Sequence, residues 1–513
     1  MKSSHHTSWL IIGIACFNVV LHLIFHNTLG YHRDELLYFT LGQHPAFGYA
    51  SVPPLIGWIA AFVSSVFGYS TLAVRLVPAL FSGVMVILVT RITRELGGKS
   101  YAQLLATIAL ICTPFSLRTF YLFQPVFLDL TFWTLLLYLT LRFINTNDGK
   151  YLIGMGAVSG LAMLNKYLVG LLILILLLTL LLSRHRTAFL RKEMYLGLAV
   201  ALVIFLPNLI WQVTNELPVI NHIQELNDTQ LVNVSYGNFL AEQLLIPLAA
   251  SLLTIPGLVF LLVAPRTKQY RYRLLGWTAV LVILALLLLR GKSYYTLGIF
   301  PMLIAAGAVF YEQLISQNMF RWAIPSIIVL ITLPTLPIGL PIYRTEQLVD
   351  YFDTLEKEYG VDVGRRFEDG TLHSLPQDYA DMLGWDSLAS LTAQAYRQIP
   401  ETEKGVIYCE NYGQAGAVCV IGQQYGLPQP ISFSDNFRYW VPESIPDDVN
   451  HFIYVNDELG ADVESAFSQV EIIGSVSNPH AREYGTTVYL CSNPRESLNT
   501  LWQQAVQRVF EGQ

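Results

Sequence analysis

Four ionisable residues follow one another where the chain leaves its first long apolar run. They stand in the stretch LGYHRDELLYFTLGQHPAFGYASVPPL (residues 29–55) as His32, Arg33, Asp34 and Glu35. Ionisable residues at membrane depth are costly to place and are usually functional. A partly desolvated carboxylate at such an edge is suited to general-base catalysis, and Asp34 is the candidate.

Further charged and aromatic residues lie at the ends of later apolar runs, on the side of the membrane where Asp34 is expected. The candidates for substrate binding are Glu35, Arg118, Asp129, Lys166, Arg290, Lys292, Tyr294 and Tyr295. Cations such as Arg118, Arg290 and Lys292 can stabilise negative charge on a phosphate group. The alternative is that these cations only snorkel to the interface or pair with acids, and that the tyrosines form an interfacial belt.

A metal site is an alternative use of the same acids. Asp34 or Glu35 would supply one ligand, and a distant histidine such as His44 or His222 another. The histidines lack the spacing of a metal-binding motif. The sequence therefore indicates no definite cofactor, and a divalent metal stays open.

The composition is typical of a membrane protein. Of the 513 residues, 53% are hydrophobic and only 13% are charged, whereas a soluble domain carries about 25% charged residues. The net charge of −6 is spread over separate segments, which argues against a nucleic-acid partner.

Eleven apolar runs approach the length of about 20 residues that a helix needs to cross the hydrocarbon core. They are residues 9–25, 72–90, 102–113, 126–143, 151–164, 169–182, 195–211, 240–263, 274–289, 296–315 and 322–340. We therefore predict a mainly α, polytopic helical bundle of about eleven transmembrane helices.

The distribution of loop cations predicts the orientation of this bundle. With the N-terminus in the cytoplasm, the inner loops hold Arg91, Arg94, Lys99, Arg142, Lys150, Arg184, Arg186, Arg191, Lys192, Arg266, Lys268, Arg271, Arg273 and Arg321. The outer ends hold fewer, namely Arg33, Arg75, Arg118, Lys166, Arg290 and Lys292. An odd number of spans then places the C-terminal region outside the cytoplasm.

The first outer loop, residues 28–71, is long for a simple connection, and long structured loops are often functional. Its segments DELLYFTLGQ (34–43) and LIGWIAAFVSSVFG (55–68) are predicted as helices that lie along the interface. Pro53 and Pro54 separate them. We assign this loop to a membrane domain that covers residues 1–343.

Residues 344–513 have the composition of a soluble domain, and the proline-rich TLPTLPIGLPIY before them is predicted to end the last span. Short β-type runs at residues 405–409, 451–455, 470–474 and 486–490 alternate with helical stretches such as 388–399. This alternation predicts a small extracytoplasmic α/β domain. A pair among Cys409, Cys419 and Cys491 would be oxidised only in such a compartment.

We expect this domain to shape the acceptor side of a reaction and to perform no chemistry itself. Its acids Asp350, Asp353, Glu356 and Glu358 are predicted to form one solvated helical face. The aromatic-rich SFSDNFRYWVPE (432–443) is the favoured acceptor contact, with an ordinary packed loop as the alternative.

The membrane part resembles a known family. An acidic pair follows the first span and PPL precedes an interfacial helix. YLFQPVFLDLTFW leads into the fourth span, GLAMLNKYLVGLL surrounds Lys166, and GKSYYTLGIFPMLIAAGA leads into the tenth. In this order they look like the integral-membrane glycosyltransferases of family 39, related to protein O-mannosyltransferases and to the aminoarabinose transferases of lipid A. The resemblance covers about residues 9–320.

The resemblance implies a fold of the kind called GT-C and a polyprenyl-phosphate sugar as the donor. It implies that Asp34 is the catalytic carboxylate, that Asp129 is a second acidic position, and that Lys166 and Lys292 are site cations. One departure stands out: many members carry Lys or His just before the two prolines, and some an acid before that. Here those positions are residues 51–52, Ser and Val.

The predicted location leads to the same activity. An enzyme on the outer face has no nucleotide sugars, so an activated sugar must arrive on a lipid. We therefore predict an inverting transfer from a polyprenyl-phosphate-linked sugar to a lipid, glycan or protein acceptor, in the plasma membrane and specifically a bacterial inner membrane.

Two other function classes compete with this prediction. A transporter or flippase of lipid-linked sugars usually has repeats and charges near the bilayer midplane. Here the charges lie at helix ends and the sequence has no visible repeat. An assembly or anchoring protein, whose outer domain binds a partner, is the third possibility.

Overall fold

The computed structural model describes residues 2–229, 231–263, 271–367 and 370–511. Two of the predicted inner-loop cations, Arg266 and Lys268, lie outside these ranges. The chain divides into two compact units. Unit 1 comprises Met1–His26, Val52–Ile56 and Arg75–Tyr343, and unit 2 comprises Asn27–Ser51, Gly57–Val74 and Arg344–Gln513. Most of the first outer loop therefore groups with the C-terminal residues rather than with unit 1, and the predicted domain limits stay a prediction.

Helices dominate the chain as far as residue 339. In chain order they are α1 (Lys2–Ile24), α2 (Arg33–Gln43), α3 (Leu55–Phe67), α4 (Thr71–Glu95), α5 (Ser100–Ile111), α6 (Pro114–Thr119), α7 (Pro125–Thr146), α8 (Lys150–Met163), α9 (Val169–Leu182), α10 (Lys192–Thr214), α11 (Pro218–Thr229), α12 (Tyr236–Leu245), α13 (Ser251–Val263), α14 (Arg273–Leu288), α15 (Phe300–Leu314), α16 (Asn318–Arg321) and α17 (Ala323–Gly339). Short 3₁₀ helices cover Arg186–Leu190, Leu231–Asn233, Leu248–Ala250 and Ser293–Ile299.

Each of the eleven predicted spans falls on helical segments, although residues 240–263 cover both α12 and α13. Among the described residues, five helical segments are long and apolar enough to cross a membrane. The number is six if two consecutive helices with a bend of 86° between them form one span. The five are Thr71–Glu95, Pro125–Thr146, Lys192–Thr214, Ser293–Leu314 and Met319–Gly339, and the pair is Tyr236–Leu245 with Leu248–Val263. The protein is thus a multi-pass membrane protein, and the count of about eleven spans stays a prediction.

The long apolar segments differ in how deeply they are enclosed by protein. The most apolar part of α7 is 72% buried and that of Ser293–Leu314 is 83% buried. The corresponding parts of α10 and of Met319–Gly339 are only 17% and 28% buried. Apolar helix surface that no protein covers is suited to contact lipid. The two most buried segments carry three of the predicted site residues, Asp129, Tyr294 and Tyr295, and Lys292 directly precedes the second segment.

The last span continues past its first two prolines. Pro334 and Pro337 lie inside α17, which ends at Gly339, close to the end of the apolar run 322–340. Helices in membranes tolerate proline because hydroxyl side chains and neighbouring helices bond the freed backbone groups. The Thr332 hydroxyl of α17 also donates to the carbonyl of Cys112 at the end of α5, 2.9 Å away.

The two helices predicted in the first outer loop are present. They are α2 and α3, and the close agreement in their limits reflects strong local signals. His32 caps the N-terminus of α2, and the tandem prolines before α3 cannot continue a preceding helix. The Trp58 indole of α3 donates to the carbonyl of Ala46 at 2.7 Å, which ties the two halves of the loop together.

The C-terminal part of unit 2 is a small α/β arrangement. Its helices are α18 (Thr345–Tyr359), α19 (Gln377–Ala380), α20 (Trp385–Gln398), α21 (Tyr412–Val420), α22 (Ala461–Ala466) and α23 (Leu498–Glu511). Its strands are β1 (Lys404–Cys409), β2 (Val449–Asn456), β3 (Phe467–Ser475) and β4 (Thr487–Pro494). Each strand contains one of the four predicted β-type runs.

These strands form one sheet of order β1-β2-β4-β3. The pair β1–β2 is parallel, and β4 runs antiparallel to both β2 and β3. A parallel pair needs a crossover connection, and α21 lies in the connection between β1 and β2. The start of α21 therefore follows the end of a buried strand.

The acids of α18 are only partly solvated. Asp353 and Glu356 form ion pairs of 3.0 and 2.8 Å with Arg365, whose side chain is almost fully buried. Asp350 and Glu358 are exposed, as predicted for all four acids. Two members of this face therefore hold a buried cation, which a reading of helical spacing alone does not reveal.

The packing of α2 against α21 depends on a glycine. A Cβ added to Gly416 would lie 3.0 Å from the Cβ of Leu36 and 3.1 Å from its carbonyl carbon. Because a backbone atom cannot rotate away, a side chain at this position would have to push the helices apart.

We predict that Gly416→Val lowers the stability of unit 2 by about 1–3 kcal/mol, since the helices must separate to admit the side chain. Thermal unfolding of the purified protein would measure this loss. The control is Ser387→Val on the exposed side of α20. An unchanged unfolding temperature for Gly416→Val would contradict the close packing of α2 on α21.

Candidate functional site

Asp34 lies in the first turn of α2, where the backbone donors of the helix are satisfied by neighbouring side chains. Nδ1 of His32 accepts a hydrogen bond from the Asp34 backbone N–H at 3.1 Å. Oε2 of Glu35 accepts one from the His32 N–H at 2.9 Å, which completes a capping box. The Asp34 carboxylate is not needed for the cap and remains partly exposed.

Glu35 has a different environment from its neighbour. Its side chain is fully buried, and its carboxylate is engaged in the cap. This structural use accounts for an acid at that position. Its assignment to substrate binding stays a prediction.

The Asp34 carboxylate contacts a residue of the C-terminal region. The Tyr412 hydroxyl donates to Oδ1 of Asp34 at 3.1 Å. The guanidinium group of Arg33 lies over the Tyr412 ring, 4.1 Å from its centroid, within the range of a cation–π contact. Arg33 and Asp34, which are adjacent in sequence, thus contact the ring and the hydroxyl of the same tyrosine.

His32 and Arg33 attach the same turn to the C-terminal region at a second place. Nε2 of His32 lies 3.6 Å from a carboxylate oxygen of Asp378 and 3.9 Å from one of Asp381. The Arg33 backbone N–H donates to the Asp381 carbonyl at 2.9 Å. Burial raises the pKa of Asp381 although the neighbouring cations oppose this. The cluster of charges at the start of the outer loop is therefore explained largely by its contacts within unit 2.

The C-terminal region contributes directly to the surroundings of Asp34. It supplies the hydroxyl that contacts Asp34 and the carbonyl that fixes Arg33. A chain that ends near residue 343 would lack both contacts. The role of this region on the acceptor side stays a prediction.

The predicted acceptor segment, residues 432–443, is mostly packed against the outer loop. Oδ1 of Asn436 accepts the Ala50 N–H at 2.9 Å, and the ring of Trp440 stacks on His44 at a centroid distance of 4.1 Å. Tyr439 is its exposed aromatic side chain, with 41% of its surface accessible. The role of the segment in acceptor binding stays a prediction.

A second group of predicted residues is positioned in unit 1 by the turn between α8 and α9. Asn165 is fully buried, and its Nδ2 donates to the Pro125 carbonyl at 3.0 Å, at the start of α7. The Leu55 N–H donates to the Leu164 carbonyl at 2.9 Å. These bonds fix the residues directly before Lys166 to two other parts of the chain.

Lys166 and Lys292 converge on the same pair of aromatic rings. Nζ of Lys166 is 4.9 Å from the centroid of the Tyr295 ring and 5.4 Å from that of Tyr294. Nζ of Lys292 is 6.0 Å from the Tyr294 centroid. The two rings are 4.8 Å apart in an edge-to-face arrangement. Four residues that the sequence identified separately are thus brought together.

Asp129 supplies negative charge to this group, which we call the Lys166–Lys292 cluster. It lies one turn into α7, its surface is 9% exposed, and it interacts electrostatically with Lys166. Gly298 permits the close approach of the tyrosine-bearing segment to α7, because an added Cβ would lie 2.3 Å from the Cβ of Trp133.

The two arginines of the predicted set are placed differently. The Arg290 side chain is exposed and lies over the Tyr236 ring, 5.2 Å from its centroid. Arg118 is half-buried in the last turn of α6. Their contribution to substrate binding stays a prediction.

Within the described part of the chain, no three His, Cys, Asp or Glu side chains are grouped so that they could hold a metal ion. His44, one of the suggested ligands, instead stacks on an aromatic ring. All five cysteines lie among the described residues and are free thiols, including the three of the C-terminal region.

Sequence reasoning missed Tyr412 and Asn165. Tyr412 lies 378 residues after Asp34, and no periodicity connects positions so far apart. Asn165 precedes the recognised Lys166 and stood within the quoted motif. A fully buried amide in an apolar turn needs a hydrogen-bond partner, and this was the signal that could have found it.

The chain is similar to known glycosyltransferases. Residues 51–211 match the model of the family described as dolichyl-phosphate-mannose-protein mannosyltransferase. This match includes Asp129 and Lys166 but does not reach Asp34 or Lys292. No curated protein matches the chain.

Two solved structures share the fold over nearly the whole length of both chains. ArnT from Cupriavidus metallidurans in the apo state has a TM-score of 0.67 at 15% identity, covering 95% of this chain and 98% of that one. ArnT bound to undecaprenyl phosphate has a TM-score of 0.63 at 16% identity, with 94% and 98% covered. The GT-C-like fold and the family resemblance predicted from the sequence are confirmed.

Proposed function

We propose that this protein transfers a sugar from a polyprenyl-phosphate-linked donor to an acceptor nucleophile. The observation that carries the proposal is the Lys166–Lys292 cluster, in which two ammonium groups share one aromatic ring. Ammonium groups form charge-assisted hydrogen bonds with phosphate oxygens, so the cluster is suited to a phosphate anion. The fold shared with ArnT, which has been captured with undecaprenyl phosphate, supports a lipid phosphate as that anion.

In the proposed reaction the acceptor loses a proton and attacks the anomeric carbon of the sugar. Asp34 accepts the proton as the nucleophile–carbon bond forms. The bond between the anomeric carbon and the phosphate oxygen breaks, and the polyprenyl phosphate leaves with the electron pair. Lys166 and Lys292 stabilise the charge that develops on the leaving phosphate.

The surroundings of Tyr294 and Tyr295 support a further role. Tyr294 is exposed and Tyr295 is half-buried, so at least one ring face is accessible to a ligand. Aromatic rings can stack on a sugar, and a phenolic hydroxyl can donate to a phosphate oxygen. We assign the pair to the sugar-phosphate junction of the donor.

The proposed location is the plasma membrane, specifically a bacterial inner membrane, with the N-terminus in the cytoplasm and the C-terminal region outside. The excess of Lys and Arg in the predicted inner loops supports this orientation. The donor would then enter from the membrane, and the acceptor would be a lipid, a glycan or a protein on the outer face.

We predict that Asp34→Asn lowers transfer by roughly 10² or more, because the amide cannot accept the proton. Glu35→Gln should have a smaller effect, since glutamine can also close the capping box. The assay measures release of undecaprenyl phosphate from a panel of undecaprenyl-phosphate-linked sugars by protein in nanodiscs. Near-normal release by a folded Asp34→Asn protein would refute the assignment of Asp34.

A second prediction concerns the phosphate. Lys292→Ala should weaken binding of undecaprenyl phosphate by roughly tenfold, the effect of losing one charged contact of about 1.5 kcal/mol. Lys99→Ala, which removes an exposed cation in a predicted inner loop, is the matched control. Equal affinities of the two variants in a binding titration would exclude the proposed phosphate site.

A further inference from the structure

We infer that Tyr412 is a positioning residue for the Asp34 carboxylate, so that the C-terminal region sets the geometry of the general base. This inference rests on the proposed function, because that function gives Asp34 its role. It extends the function by assigning part of the reactive geometry to a helix that contains none of the predicted site residues.

The contact itself has a defined direction. Burial, and then the charge of Asp34, raise the pKa of Tyr412 well above its ordinary value. The phenol therefore stays protonated and donates its hydrogen to the Asp34 carboxylate at 3.1 Å. The Arg33 guanidinium covers the ring at 4.1 Å and limits its rotation.

The start of α21 is held firmly enough for this purpose. Oδ1 of Asn411 caps the helix by accepting the N–H groups of Gly413 and Gln414 at 2.9 and 3.1 Å. The buried carboxylate of Glu483 in turn accepts from Nδ2 of Asn411 at 3.2 Å and from Nε2 of Gln414 at 2.8 Å. Tyr412 lies between Asn411 and Gly413, so its backbone is fixed on both sides.

One consequence for the reaction follows from such a contact. A fixed carboxylate loses less freedom when the acceptor arrives, which favours catalysis. If Tyr412 only stabilised the fold, its hydroxyl would affect the unfolding temperature but not the turnover number of the folded protein.

The test compares Tyr412→Phe with Tyr454→Phe in the undecaprenyl phosphate release assay. Both changes remove one phenolic hydroxyl from unit 2, and that of Tyr454 interacts with Asn456 and Glu410 rather than with Asp34. We expect kcat of Tyr412→Phe to fall roughly ten- to hundredfold, with KM changed much less.

A double-mutant cycle with Asp34→Asn isolates the interaction. In the Asp34→Asn background, Tyr412→Phe should cause no further loss of kcat, and its effect on the unfolding temperature should also be smaller than in the wild type. Independent, additive effects on both quantities would overturn the inference.

The outcomes separate the two proposals. If the wild-type protein releases no undecaprenyl phosphate, the proposed function fails, and if Asp34→Asn releases it as fast as the wild type, the assignment of Asp34 fails. If Asp34→Asn is impaired but Tyr412→Phe has the kcat and KM of Tyr454→Phe, the assignment of Asp34 stands and the positioning role of Tyr412 is refuted.

Discussion

The close packing of α2 against α21 is the contact on which unit 2 depends. A carboxylate at the first turn of a helix is favoured by the unpaired backbone donors there, and it would ordinarily turn back to cap its own helix. Here His32 and Glu35 perform the capping. This leaves the Asp34 carboxylate available to a partner outside its helix, and the glycine at position 416 brings that partner within reach.

In unit 1, too, neighbouring residues hold predicted site residues in place. A lysine side chain is long and flexible, so its ammonium group needs support to stay in one place. The buried Asn165 fixes the turn that carries Lys166, and the tyrosine pair provides a surface to which both ammonium groups are drawn. The structure thus places two ammonium groups and one acid around the same pair of tyrosine rings.

Much of the architecture could be predicted from local signals. The helices of the outer loop were marked by charged residues and prolines, and the four strands by short β-branched and aromatic runs between polar segments. The number of membrane crossings is harder to predict from the sequence, because helices such as α5 and α9 are shorter than a full span. The apolar run 322–340 includes Pro334 and Pro337, and α17 continues past both.

Only some residues of the candidate site could be predicted from the sequence. Residue type and position made Asp34, Lys166, Lys292 and the tyrosine pair candidates. Tyr412 could not be found, since its partner is distant in sequence and a tyrosine in a soluble α/β region carries no special signal. The burial of Glu35 was equally hidden, because its role follows from the backbone geometry of the helix start.

We expect the sugar to be transferred by a single displacement at the anomeric carbon. The configuration of the product tests this expectation. The glycosidic bond formed from a donor of known configuration can be assigned by its one-bond carbon–proton coupling in NMR. We expect the new glycosidic bond to have the inverted configuration relative to the bond that joined the sugar to the phosphate. Retention of configuration would require two displacements and a covalent intermediate, and it would contradict the role assigned to Asp34.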